Sequence, residues 1–143
     1  MPSTFALNAM QSAHRFALWL TRGGFGWTMG GMPVVELTTF GRKSGQPRDT
    51  MLTSPIQEGD TYVVVASRGG DPQHPAWFLN LRHNPEVQII IQGQPKRAAT
   101  ARVATDAERD RLWPLITTKY SNYAGYQERT DRVIPLVLIE PHR

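Results

Sequence analysis

The spacing of apolar residues changes character at Pro33. Before it, Ala9, Ala13, Phe16, Ala17 and Leu20 recur every three or four positions, with His14 and Arg15 elsewhere on the wheel, and the run stops at Gly23, Gly24 and Gly26. That period predicts an amphipathic helix over 5–20 and then a glycine-rich hinge. From Pro33 onward the apolar residues come in short β-rich runs between turn residues. Val34, Val35 and Leu37 lead a first strand to Thr39, residues 41–47 form a polar turn, and a second strand over 50–56 stops at Glu58-Gly59-Asp60. Residues 62–66 read as a continuous apolar strand. Pro75 stands at a helix start, Trp77, Phe78 and Leu81 follow at helical spacing, and Asn84-Pro85 ends the helix. Residues 87–91 and 96–104 form a hairpin about Gly93. Thr105 with Glu108 is a capping box that opens a helix through Trp113, which Pro114 kinks or brings near its end. A polar, tyrosine-rich stretch over 120–132 precedes a last apolar strand over 133–139.

Hairpin turns outnumber any strand-helix-strand crossover. Five or six mostly antiparallel strands with peripheral helices therefore make an α+β domain built on a small β-barrel, and a doubly wound parallel sheet is disfavoured. The chain divides into residues 1–30, the helix and hinge, and residues 31–143, the barrel. Its 143 residues, 40% hydrophobic and 20% charged, bury a core without staples. With no cysteine, disulfides, zinc-thiolate sites and cysteine nucleophiles are excluded. A net charge of +4 tilts the partners toward anions. No nucleic acid is expected, because the 16 Lys and Arg are spread along the chain and the aromatics do not alternate with them. No apolar run reaches the roughly 18 residues that span a bilayer, and no signal peptide is evident, so a cytoplasmic location is expected. The first helix, with Trp19 and Trp27 near its end, leaves a peripheral membrane contact open; packing on its own domain is favoured because such a helix normally carries more Lys and Arg.

Three segments carry candidate chemistry. Gly41-Arg42-Lys43-Ser44-Gly45-Gln46-Pro47-Arg48 packs three cations into one inter-strand loop, which reads as an exposed basic turn or as a phosphate or carboxylate site; it lacks the spacing of a Walker loop. Ser67-Arg68-Gly69-Gly70 follows a buried strand, where the glycines serve turn torsions or let backbone approach a ligand. Trp77 and Phe78 fill the core or stack on a flat ring. Tyr120, Tyr123 and Tyr126 recur at three-residue spacing, which sets their rings along one side of a helical segment as packing or as pocket lining. His14, His74, His83 and His142 show no metal-ligand spacing, and no metal is expected.

Set end to end, these segments resemble the deazaflavin-dependent nitroreductase family, split-barrel reductases that use coenzyme F420. The carriers are residues 37–48, Ala66-Ser67-Arg68-Gly69-Gly70, Pro75-Ala76-Trp77-Phe78-Leu79-Asn80-Leu81, and Thr130-Asp131-Arg132 before Ile134-Pro135. The resemblance implies an FMN-binding split-barrel-like fold. It also implies cofactor-binding positions at Arg42, Lys43, Ser44, Gly45, Gln46, Pro47, Arg48, Ala66, Ser67, Arg68, Gly69, Ala76, Trp77, Phe78 and Asn80. A tail bearing phosphate and glutamyl carboxylates suits clustered Arg and Lys. The implied reaction is hydride transfer from the reduced deazaflavin to an electron-poor small molecule such as an activated alkene, an enone or a nitroaromatic. Ser67 then lies near the reacting ring, and Tyr120, Tyr123 and Tyr126 border the substrate, where a phenol or water delivers the accompanying proton. Two alternatives stay open: the same barrel binding FMN or a haem-related ligand, and a non-catalytic carrier of anions. The oligomeric state is not specified by these residues.

Overall fold

The computed structural model of the chain describes residues 28–29, 31–92 and 94–143. The helix expected over 5–20, its hinge through Gly26, and Gly93 lie outside the described residues. Eight strands form one curled antiparallel sheet: β1 (Thr28–Met29), β2 (Met32–Phe40), β3 (Pro47–Thr53), β4 (Ile56–Glu58), β5 (Thr61–Val65), β6 (Glu86–Ile91), β7 (Arg97–Val103) and β8 (Leu136–Pro141). Their order is β1-β2-β6-β7-β8-β5-β4, with β3 also paired to β2. Helix α1 (Ala76–His83) joins β5 to β6, and α2 (Asp106–Lys119) and α3 (Asn122–Glu128) lie between β7 and β8. The α+β barrel of antiparallel hairpins is thus the observed architecture. No helix among the described residues is long and apolar enough to cross a membrane.

Alternation along the strands feeds two cores. Tyr62, Val64, Val137 and Ile139 join Val35, Leu37, Ile89, Ala101 and the α1 residues Trp77, Phe78 and Leu81 on one face. Val63, Val65, Leu136 and Leu138 point the other way, onto Leu112 and Ile116 of α2, Tyr123 of α3 and Ile134. β5 and β8 are therefore buried on both faces, which is why they read as unbroken apolar runs rather than as alternating ones. Polar residues such as Glu36, Gln88 and Arg102 occupy the outward positions of β2, β6 and β7.

The structure moves several expected boundaries. The strand expected over 50–56 begins at Pro47 and breaks at Ser54-Pro55 into β3 and β4, because the sheet turns a corner there. The last strand starts at Leu136 instead of Val133, and Val133 is exposed. Helix α2 runs through Pro114 to Lys119. Proline removes one backbone bond, but buried Leu112 and Ile116 pin the turns on both sides of it, and both halves of the Thr105–Glu108 capping box form. Arg102 donates to both Glu108 oxygens at 2.7 and 2.9 Å and, with the Thr105 amide, holds that carboxyl down at about 2. Tyr120 ends α2, so it does not share the helix of Tyr123 and Tyr126.

Ser54 makes the corner. Its N–H donates to the Pro33 carbonyl at 2.9 Å, and its buried hydroxyl lies 2.8 Å from the Val63 carbonyl and 2.9 Å from that of Ile56, its single proton serving both. One residue thereby ties β2 to β5 across the open side of the sheet. Ser54→Ala removes the hydroxyl's bonds to both carbonyls, so the expected cost is about 1 kcal/mol, a fall of about 3 °C in the thermal midpoint. An unshifted midpoint would mean that the turn backbone alone closes the corner.

Candidate functional site

Register places the candidate loops at one end of the barrel. β2 and β5 run in the same direction, because β6, β7 and β8 between them alternate. The loop after β2 (41–46) and the loop after β5 (66–71) therefore leave the same rim, where the chain also enters β8.

The first loop is a tight basic turn. Gly41 N–H donates to the Gln46 carbonyl at 2.9 Å, Gly45 N–H donates to the Gly41 carbonyl at 2.8 Å, and Gly45 takes a φ of +72°. Ser44 Oγ accepts from the Gln46 amide. Pro47 opens β3 opposite Phe40, and Arg48 pairs across from Thr39. Arg42, Lys43 and Arg48 are exposed. Residues Phe40, Gly41, Arg42, Lys43, Ser44 and Gly45 line an open concavity of about 760 Å3 with His83 and Asn84 from the end of α1. Beneath it, buried Asn80 donates from Nδ2 to Thr39 Oγ1 at 3.3 Å, while its Oδ1 accepts from the Arg42 amide at 3.3 Å and from Arg42 Nη1 at 2.9 Å. Asn80 thus holds the loop from below.

The second loop is strained. Arg68, Gly69 and Gly70 have φ values of +46°, +65° and +86°, and Arg68 is the only such residue other than glycine among those described. A Cβ on Gly70 would meet the Tyr126 carbonyl at 2.7 Å, so this glycine serves the packing of α3 on the turn. Ala66 is fully buried, with its N–H on the Pro135 carbonyl. Ser67 is 9% exposed, and no described residue hydrogen-bonds its hydroxyl. Arg68 Nη1 reaches Asp71 at 3.3 Å. Gly69 offers its carbonyl to Arg129.

Helix α1 brackets the two loops. Ala76 is exposed at its first position, while Trp77 and Phe78 are buried in the core. The Phe78 ring lies 4.7 Å from the His74 ring and 5.1 Å from the Arg82 guanidinium, so it is engaged by neighbouring side chains as well as by the core. The tyrosines separate by burial. Tyr123 is 6% exposed, and its hydroxyl sits 3.2 Å from Thr53 Oγ1 and 3.5 Å from Met32 Sδ, with burial pushing the phenol up. Tyr120 and Tyr126 are half-buried against the same cluster, and Tyr126 meets Tyr123 edge-on at 5.9 Å.

Sequence spacing missed Arg132 and His74 as parts of this end. Arg132 donates from Nε to the Asp71 carbonyl at 2.9 Å, from Nη1 to the Ala66 carbonyl at 3.2 Å and from Nη2 to the Ser67 carbonyl at 2.8 Å. Nη1 also lies 3.1 Å from His74 Nδ1. Because an arginine only donates, His74 Nδ1 accepts and the ring is neutral. The only signal in the chain was the Thr130-Asp131-Arg132 motif, which carries no distance information. No group of three His, Asp or Glu among the described residues could hold a metal.

A curled antiparallel sheet with a cationic turn and a glycine-bearing turn on one rim, bracketed by a short helix, defines a split-barrel cofactor protein. The chain belongs to the F420H(2)-dependent quinone reductase family, whose model matches residues 13–141. It is 42% identical over 113 residues to the F420H(2)-dependent quinone reductase Rv1261c of Mycobacterium tuberculosis, covering 77% of this chain and 74% of that protein. Among solved structures, the F420-H2 dependent reductase FDR-A matches with a TM-score of 0.66 at 41% identity, over 76% of this chain and 94% of that one. A chain described as a domain-swapped dimer matches with a TM-score of 0.65 at 36% identity, over 90% and 96%. The resemblance carried by the motifs is borne out, and the family match extends before Pro33 to residue 13.

The His74 environment has a pH signature. Burial first, then the Arg132 and Arg82 charges, lower its pKa from 6.5. The unfolded chain therefore takes the proton more readily, so stability is fully present above about pH 6.5 and declines as pH falls below it. Denaturation measured at pH 7 and pH 5 is expected to show this decline, and His74→Gln, which still offers Arg132 an acceptor, is expected to reduce it. Equal declines in both proteins would show that His74 is not the group responsible.

Proposed function

We propose that this chain binds coenzyme F420 across the two rim loops and reduces an electron-poor small molecule, the class that contains quinones, activated alkenes, enones and nitroaromatics. The observation that carries this reading is the arrangement of one rim. Exposed Arg42, Lys43 and Arg48 stand on one loop, on the other a Ser67 hydroxyl that no described residue hydrogen-bonds, and α1 braces both. These residues fit the coenzyme. A phosphate and glutamyl carboxylates call for forked and point cations, while a flat ring bearing carbonyl and hydroxyl groups calls for backbone and hydroxyl partners held away from water.

The bound coenzyme supplies the hydride chemistry, and the chain's own residues bind it, orient it and exclude water. Arg42, Lys43 and Arg48 bind the anionic tail, with Ser44, Gly45, Gln46 and Pro47 shaping the turn that presents them. Ser67, Arg68 and Gly69 face the ring, where Ser67 donates or accepts, and fully buried Ala66 supports them from within the barrel. Ala76 borders the groove; Trp77, Phe78 and Asn80 support it from beneath. Of the three tyrosines, Tyr120 and Tyr126 have the exposure that substrate contact requires, and the Tyr126 phenol or a water supplies the proton that accompanies reduction. Tyr123 acts through packing. The catalytic unit is the barrel of 31–143 together with β1, which pairs with β2 although it precedes residue 31, and the location is cytoplasmic.

Titration with oxidised coenzyme F420 and with FMN tests the assignment. The deazaflavin is expected to bind more tightly, and Lys43→Ala and Arg48→Ala to weaken it about ten-fold each, the low end for a charge-assisted bond at exposed positions. Equal or tighter FMN binding, or unchanged curves in both variants, would overturn it.

A further inference from the structure

The Arg68–Gly70 turn is held in a left-handed backbone that a side-chain-bearing residue rarely adopts, so something must over-determine it. Within the turn, Gly70 N–H donates to the Ser67 carbonyl at 2.9 Å and Asp71 N–H to the Arg68 carbonyl at 3.2 Å. Arg129 reaches the Gly69 carbonyl at 3.4 Å and Arg68 pairs with Asp71, but Arg132 makes the most contacts to the loop's main chain. Its guanidinium takes the carbonyls of Ala66 and Ser67 on one side of the strained residues and of Asp71 on the other, with His74 as fourth acceptor. All four acceptors are neutral, so this is a main-chain clamp and not an ion pair. Arg132 is itself fixed: Gln127 Nε2 donates to its carbonyl at 2.7 Å, and Gln127 Oε1 accepts from the Ile134 amide at 2.9 Å. A planar fork with five donors can serve carbonyls on both sides of the turn at once, which a lysine ammonium on a flexible stem cannot do with the same geometry.

We infer that Arg132 is the positioning residue of the ring-side loop, setting the path of residues 66–71 and hence the placement of Ser67 and Arg68. Its effect on the coenzyme rests on the proposed reading that this loop faces the ring; its effect on the loop does not.

The full-length chain and its Arg132→Gln and Arg132→Lys variants are compared in two ways. Amide hydrogen exchange without coenzyme reads the loop directly: in Arg132→Gln, exchange over 66–71 is expected to speed up while β5 and β8 keep their protection, with Arg132→Lys intermediate. Affinity is then measured for the intact coenzyme and for 8-hydroxy-5-deazariboflavin, which lacks the phosphate and glutamyl tail. Arg132→Gln is expected to weaken both by the same factor, about ten-fold for lost charge-assisted bonds, whereas Lys43→Ala weakens only the intact coenzyme. A general loss of stability would also weaken both compounds alike, and the retained protection of β5 and β8 is what separates it from a local effect on the loop. Unchanged exchange over 66–71, a loss confined to the intact coenzyme, or failure of both variants to fold would overturn the assignment. If the parent chain binds neither compound, the functional reading fails, and the exchange result alone decides the role of Arg132.

Discussion

The structure depends on two strands that have no solvent face. β5 and β8 lie side by side between two apolar clusters, and Val63, Val64, Leu136, Val137 and Ile139 are fully excluded from water. Each such side chain contributes about 1.5–3 kcal/mol on burial, so this pair fixes register more firmly than any turn can. A slip of one residue would exchange the helix-facing and barrel-facing sets. Everything else hangs on that register: α2 and α3 cover one face, α1 closes the other, and the chain must leave β5 and enter β8 at the same rim.

That rim is where charge is concentrated to different ends. Arg42, Lys43 and Arg48 stand exposed on the β2–β3 turn, Arg42 with one guanidinium nitrogen on Asn80, the arrangement that attracts an anion. Arg132 is half-buried and occupied by protein carbonyls, the arrangement that holds a backbone still. Helix α1 connects them, since Asn80 supports the first loop while His74, just before the helix, accepts from Arg132. In the proposed reading the first device meets the coenzyme's tail while the second fixes the backbone beside its ring, and preorganisation of this kind lowers the ordering cost of binding.

The elements that could be read from the chain were those with a local cause. The β2–β3 turn, the apolar run of β5, the Pro75 start of α1 and the Thr105–Glu108 capping box each have their signal within a few residues. What escaped was set by distant partners. The Ser54-Pro55 corner reflects bonds to Pro33 and Val63; the continuation of α2 past Pro114 reflects the burial of Leu112 and Ile116; and the shortened β8 reflects where β5 and β7 can pair with it. In the candidate site, the cationic turn and the glycine turn were visible as motifs. The burial that separates Tyr123 from Tyr120 and Tyr126, and the reach of Arg132 across more than sixty residues to Ala66 and Ser67, were not.

The central claim is that this rim holds a reduced deazaflavin so that hydride passes directly to the acceptor. Turnover with coenzyme F420 reduced and deuterated at C5 tests it, using an activated enone so that the transferred label remains on carbon, where a quinone would lose it from oxygen to solvent. The account predicts product carrying deuterium on the carbon that accepts the hydride, in ordinary water. Product made at the same rate with protium at that carbon, and deuterium released only to solvent, would contradict it.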